Sequence, residues 1–255
     1  ILREIDETVR TAVHDRLESE VPLGAFLSGG IDSGLVVSYM AEALGDRLVT
    51  ASVGFGEREH NELDAAALVA RHFKSRHHAE VIEPSLDVVG PVMDHLGEPL
   101  ADSSAIPTWY VCQSARRQVT VALSGDGGDE TFLGYDFRYV PHAIEASARR
   151  VMPEVLAPAS GWLGRHWPRS RRLPRPLRVG TLLENLGRDP ASAYYFDLAF
   201  LKPSATRTLL GRAPDGALEQ SPVFAAVTDP YRRCPSKDAV QRAAYADLHV
   251  YMPND

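Results

Sequence analysis

The sequence predicts an α/β fold: a parallel β-sheet with helices on both faces, followed by a mostly helical C-terminal half. Three observations carry this reading. Short apolar runs alternate with helix-period segments as far as residue 123. Two glycine-rich segments, SGGIDS at 28–33 and SGDGGDE at 124–130, each follow an apolar run directly. Beyond about residue 140 strand candidates stop and helix candidates continue.

The elements follow in order. Ile1, Ile5, Val9, Val13 and Leu17 recur every three or four residues, an amphipathic helix that ends before Pro22. Leu23 to Leu27 is a short strand, and Asp32 to Leu44 a helix that stops near Gly45. Leu48 to Phe55 (LVTASVGF) is a second strand. Glu62 to Phe73 is helical, with Leu63, Ala66, Ala67 and Ala70 on one face. Ala79 to Ile82 reads as a third strand, then Leu86–Leu96 and Ser104–Arg116 as helices, then Val119–Leu123 as a fourth strand. Right-handed crossovers put the C-terminal ends of parallel strands along one edge, where ligands bind in such sheets. Both glycine-rich segments belong on that edge. The stretch from Val151 to Leu177 is rich in Pro and Arg and reads as loop and short helix. Helix candidates follow at Thr181–Leu186, Ala191–Leu201 and Lys237–Val250. The domain boundary is expected near residue 140, with an α/β core over 1–140 and a helical extension over 141–255.

Composition narrows the function. The 255 residues are 44% apolar and 24% charged, ordinary globular values, with a net charge of −7. That charge leaves no basic footprint for nucleic acid. No apolar run reaches the roughly 18 residues of a membrane span. The two cysteines, Cys112 and Cys234, make neither a zinc pattern nor a disulfide framework, so a cytoplasmic setting is expected. The chain opens at Ile1 without an initiator Met and stops at Asp255, which reads as a segment of something longer.

In the first loop, Gly29 and Gly30 let a ligand approach the backbone. Successive amides there can form an anion nest, and the following helix N-terminus adds donors and partial positive charge. Ser28 and Ser33 offer hydroxyl donors to phosphate oxygens. Asp32 should repel a phosphate, and makes sense if it holds Mg²⁺, a cation that prefers oxygen and bridges phosphates. The plainer alternative is a Gly-Gly turn with Asp32 as helix cap. The second loop packs three acids and three glycines into seven residues. Crowded acids repel unless a cation compensates them. One metal held by Asp32 and Asp129 would explain acids in two separate loops. Its plainer alternative is a solvated acidic turn. Neither loop carries the G-x-x-x-x-G-K-[ST] or G-x-G-x-x-G pattern.

Together with their flanks these segments resemble a known family. VPLGAFLSGGIDS, SVGF at 52–55, NELDAA at 61–66, EPLADSSAIPT at 98–108, LSGDGGDE at 123–130 and FLGYDFRY at 132–139 fall in the order seen in the synthetase domain of glutamine-dependent asparagine synthetases. YADLHVYMPND, 245–255, resembles the segment before that family's late catalytic block. The resemblance implies an adenine nucleotide alpha hydrolase-like fold and an ATP pyrophosphatase chemistry, in which ATP is split to AMP and pyrophosphate. By position, Ser28, Gly29, Gly30 and Ser33 would hold pyrophosphate, and Asp32 and Asp129 would hold Mg²⁺. Phe26, Val53, Ser124 and Gly125 match the adenosine contacts, with Leu27 and Gly54 beside them. Ser28, Asp32 and Asp126 are the candidates for catalysis; Asp126 stands where many members have Glu. Glu98, Asp102, Asp126 and Glu130 are the candidates for substrate contacts. The expected substrate is aspartate or a related carboxylate, activated at its β-carboxylate and attacked by ammonia from a glutaminase domain. That domain and the late catalytic Lys lie outside 1–255, so the fragment alone is expected to be inactive or weak. A homodimer is left open. Relatives that use the same adenylation to close rings, of the β-lactam synthetase or lasso-peptide cyclase type, are an alternative. A nucleotide-binding module without chemistry is another.

Smaller signals have plainer readings. Asp102 would cap the helix that follows it. Cys112, on an apolar helix, is expected in the core. His77 and His78 are adjacent on a strand and point to opposite faces. None of the nine histidines shows metal-ligand spacing. The basic stretch Arg165–Arg178 is expected to be a solvated face.

Overall fold

In a computed structural model the described residues form four parallel strands in the first half of the chain, with helices in both halves. The structure describes residues 1–56, 62–97, 102–170, 173–201, 205, 208, 209, 211 and 221–254. Two compact units form, Ile1–Asp126 and Gly127–Asp255, and each is described by itself.

In the first unit the strands are β1 (Leu23–Phe26), β2 (Val49–Phe55), β3 (Arg76–Ile82) and β4 (Val121–Leu123). Their order in the sheet is β3-β2-β1-β4, all pairs parallel. The chain therefore steps outward from β1 to β3, then returns to lay β4 on the other side of β1. The order reverses between β1 and β4, and in open parallel sheets such a reversal is where ligands bind at the strand ends. Five helices accompany them among the described residues: α1 (Leu2–His14), α2 (Ile31–Leu44), α3 (Leu63–Phe73), α4 (Val89–Leu96) and α5 (Ala105–Ala115).

The period-2 alternation of the strands sorts the core into two. On one face Leu23, Ala25, Leu27 and Leu48 pack with Val13 of α1, Val37 and Met40 of α2, and Ala66 and Ala70 of α3. On the other, Phe26, Val49, Ala51 and Ala122 pack with Ala115 and Val119. Helices thus cover both faces. Val37, Met40 and Leu48 are fully buried, and each contributes about 1.5–3 kcal/mol by leaving water. Gly24 has no room for a side chain, since a Cβ there would lie 2.8 Å from the Val49 carbonyl oxygen and 2.9 Å from a Val119 methyl.

β3 starts at Arg76, three residues before the apolar signal at Ala79. It is the edge strand, and its backbone pairs with β2 from Val49↔Arg76 onward. Pairing there needs no apolar side chain. His77 turns inward, its Nδ1 2.9 Å from Thr50 Oγ1, while His78 is exposed. Cys112 is exposed, not core: α5 turns Ser114 and Ala115 inward and leaves the thiol side out.

The second unit holds α6 (Gly128–Phe132), α7 (Asp136–Val151), α8 (Ala157–His166), α9 (Gly180–Leu186), α10 (Pro190–Leu198), α11 (Pro222–Arg233) and α12 (Ala239–Val250), with no strand among its described residues. Its core gathers Tyr139, Ala191, Tyr194, Val227, Tyr231, Ala243 and Ala246. The boundary falls at 126/127, earlier than 140, because α6 and α7 pack against α12. Asp238 caps α12 by accepting from the Val240 and Gln241 amides. α8 lies inside the Pro- and Arg-rich stretch, and its Gly161 and Gly164 are the surfaces on which α9 rests. Among the described residues of that stretch Arg165, Arg169 and Arg178 are exposed, and Arg169 pairs with Glu184.

Candidate nucleotide site

The first loop leaves β1 at Leu27, which is buried and donates its amide to the Ala51 carbonyl at 2.9 Å. Gly29 then takes φ +87°, in the left-handed region that favours glycine. It is also crowded: a Cβ would lie 2.7 Å from both Ala65 Cβ and Ala66 N at the start of α3. Two hydroxyls knit the turn together. Ser28 Oγ and Ser33 Oγ lie 2.9 Å apart, the Ser28 amide donates to Ser33 Oγ at 3.2 Å, and the Gly30 amide donates to Ser28 Oγ at 3.1 Å. The helix cap is Gly30, with no side-chain cap bond, and Asp32 is a half-buried residue inside the first turn. This overturns the capping alternative for Asp32. The opening turn of α2 keeps its donors free of a side-chain cap, which suits an anion.

The second loop leaves β4, the neighbour of β1. Gly125 lies directly on the first turn of α2, and a Cβ there would be 2.6 Å from Ser33 N and 3.0 Å from Asp32 Cβ. The structure therefore brings Gly125 onto the Ser28–Ser33 loop, as the sheet-edge argument predicts. Phe26 pairs in register with Ala51, and Val53 lies two residues further along β2 on the same face. Gly54 is buried and faces the other way. Asp126 is exposed, and its Ser124 neighbour accepts the Asp126 amide at 3.4 Å. The Cys112 thiol is pushed up, first by burial and then by the Asp126 carboxylate. Asp102 accepts the Ser104 amide at 2.8 Å in the turn before α5, but the cap position of that helix is Ser104 and it carries no side-chain cap bond, so Asp102 is not the helix cap expected of it. Glu98, His60 and Asn61 lie outside the described residues.

In the second unit α6 carries Asp129 and Glu130 in its first turn. Glu130 is 3% exposed; one oxygen accepts the Tyr135 hydroxyl at 2.6 Å and the other, Oε2, is buried with no partner. Burial and then Glu130 push the Tyr135 hydroxyl far above its usual range. The Arg138 guanidinium covers the rings of Tyr135 and Tyr251, each at 4.6 Å. It also pairs with buried Asp247 at 3.0 Å, which accepts the Tyr139 hydroxyl at 2.8 Å. Tyr135, Arg138 and Asp247 form a buried network inside the second unit; two of them stand in FLGYDFRY, and no periodicity reveals that network. Asp129 and Gly134 are pressed together, since a Cβ on Gly134 would lie 2.9 Å from Asp129 Cγ and closer still to Oδ1. Within the second unit, Asp129 carries hard carboxylate oxygens of the type Mg²⁺ prefers and is seated in a cradle that a methyl on Gly134 would fill.

His142, Glu145 and Asp197 also bring one ligand-type atom each within 4.8 Å of one another, a grouping that spacing missed because Asp197 comes from another helix. Asn185 Nδ2 already donates to both carboxylates, at 3.1 and 2.8 Å, and Arg149 pairs with Glu145 at 2.7 Å. These bonds make the group a structural polar network. Among the described residues no helix is long and apolar enough to cross a membrane.

The asparagine synthase family model matches residues 4–255. The chain belongs to the asparagine synthase family. Its similar relatives are named accordingly. Asparagine synthetase [glutamine-hydrolyzing] 1 of Bacillus subtilis is 30% identical over 264 residues, covering 100% of this chain and 39% of the relative. A putative asparagine synthetase [glutamine-hydrolyzing] of Mycobacterium tuberculosis (strain H37Rv) is 30% identical over 99% of this chain and 37% of its own length. One of Methanocaldococcus jannaschii reaches 41% identity over 141 residues, 53% of this chain and 27% of the relative. The chain thus spans about two fifths of the first relative's length. Among solved structures, an NH3-dependent NAD synthetase from Campylobacter jejuni matches with a TM-score of 0.37 at 15% identity over 78% of this chain and 97% of that one, a likeness too weak to argue from.

Proposed function

We propose that this chain is the ATP-using synthetase part of an asparagine synthetase-type amide ligase. The observation that carries the reading is Gly125 seated on the first turn of α2, which joins both glycine loops into one wall. Uncapped donors of α2, the Ser28 and Ser33 hydroxyls and the Gly29–Gly30 backbone suit the phosphates. Phe26 and Val53 offer an apolar sheet face to adenosine, with Ser124 and Gly125 closing the side, while Leu27 and Gly54 face the other way and support the strands. Asp32 and Asp129 are assigned to Mg²⁺, which when bound offsets charge on the phosphate oxygens.

The reaction follows from these parts. A carboxylate oxygen of aspartate attacks the α phosphorus, the bond to the bridging oxygen breaks, and pyrophosphate leaves with its charge. The loop amides and hydroxyls stabilise that charge where it develops. Ammonia then attacks the activated carbonyl carbon, loses a proton, and expels AMP to leave the amide. Asp126, exposed and within the second loop, is the candidate to orient the acceptor, and holding it in line supplies much of the rate. Glu130 is buried against Tyr135, so its part is to hold α6 and not to meet substrate from solvent. The ammonia source is a glutaminase domain in the full-length protein.

Calorimetric titration of the chain with ATP and Mg²⁺ tests this. The wild type saturates, and Asp32→Ala weakens the Mg²⁺-dependent affinity by about tenfold or more, the worth of one charge-assisted contact. A wild type that shows no saturation at millimolar Mg·ATP contradicts the proposal.

A further inference from the structure

The turn after α6 contains an unusual choice of residues. Leu133, which is bulky and branched, takes φ +63°, the left-handed conformation that a glycine would adopt freely. The next residue is the glycine, yet Gly134 does not have a positive φ. The backbone at 134 therefore does not call for glycine. Space does. A Cβ at 134 would lie 2.9 Å from Asp129 Cγ, 3.1 Å from Asp129 Cα, and overlap Oδ1. The Gly134 amide donates to the Asp129 carbonyl at 2.9 Å, which fixes the two residues at this separation. The left-handed Leu133 is what folds residue 134 back over Asp129.

We infer that Gly134 is a positioning residue for the Asp129 carboxylate: the missing side chain at 134 sets the direction in which Asp129 presents its oxygens to Mg²⁺. The inference rests on the assignment of Asp129 under the proposed function. It follows that a single methyl at 134 turns the carboxylate away, because the two nearest atoms in its path, Asp129 Oδ1 and Cγ, belong to a side chain that can rotate, while the 3.1 Å approach to Asp129 Cα asks the backbone to give by only a few tenths of an ångström.

Two readouts test it. The first is the crystal structure of Gly134→Ala, in which Asp129 is expected to have changed rotamer. The second is the Mg²⁺ concentration that gives half-maximal ATP binding by equilibrium dialysis. It is expected to rise about tenfold in Gly134→Ala, with metal-free ATP binding within about twofold of wild type. Leu133→Gly, which relaxes the turn and adds nothing near the carboxylate, leaves the Mg²⁺ requirement unchanged. Asp129 in its wild-type place in Gly134→Ala, or an unaltered Mg²⁺ requirement there, overturns the inference. A wild type whose ATP binding ignores Mg²⁺ overturns the metal assignment itself, while the Asp129 rotamer still decides the steric claim. Should Gly134→Ala fail to fold, the double variant with Asp129→Ala decides: folding restored places the clash at the carboxylate as inferred, and folding still lost overturns it.

Discussion

Ser33 shows how much one side chain does at this site. Its hydroxyl lies against Ser28 Oγ and its backbone nitrogen lies under Gly125, so a residue of the first loop also meets the second. That double contact explains why both loops need small residues. At the same scale, His142 gives a pH dependence. It is 2% exposed, with Nε2 2.9 Å from the Tyr231 hydroxyl, and burial followed by Arg149 lowers its pKa to about 4. The unfolded value is about 6.5. Between those two pH values the unfolded chain takes up a proton that the native chain refuses, so stability falls as the pH drops. The loss amounts to about 2–3 kcal/mol by pH 4. Glu145, whose carboxyl burial pushes upward, acts in the opposite sense, so the comparison must be with a variant. Urea unfolding at pH 7 and pH 5 is expected to show a smaller drop for His142→Gln than for wild type; an equal drop contradicts the assignment.

Among the elements, α8 and α9 pack backbone to backbone. A Cβ on Gly164 would lie 2.6 Å from Glu184 Cα and 2.7 Å from the Leu183 carbonyl carbon, and one on Gly187 would lie 2.5 Å from Gly161 Cα. No flexible side chain is available to yield there. Gly164→Ala is therefore expected to destabilise the second unit by about 1–3 kcal/mol despite its better helix propensity, and a thermal melt that rises instead contradicts this packing. The same contact explains what the sequence hides. Glycines and prolines from 151 to 177 read as breakers, yet Gly161 and Gly164 are helix-contact residues. α7 was hidden for another reason: its buried side carries Tyr139, His142 and Glu145, while Phe137, Val140 and Ile144 are exposed. An apolar stripe is thus the wrong guide to its inner face. β3 began early because edge pairing needs only backbone. By contrast β1, β2 and β4 and the first turn of α2 were legible, since their apolar runs and glycines answer to packing on the sheet itself.

For the molecule as a whole, the reversal of strand order between β1 and β4 is what sets the residues after these two strands side by side. Each glycine loop leaves one of these two neighbouring strands, so the topology delivers both loops to one place without any long-range contact being specified in the sequence. The loops themselves could be read from residue types; their meeting needed the strand order, which no single segment encodes. The role of Tyr135, Arg138 and Asp247 was not legible, because Asp247 stands 109 residues from Arg138 and only the helical packing of the second unit joins them. The most direct measurement of the central claim is hydrogen–deuterium exchange of the intact chain with and without Mg·ATP. The account predicts that nucleotide slows exchange at the amides of 28–33 and of 124–126 together. Slowing at one loop alone, or at neither while ATP is bound, would contradict it.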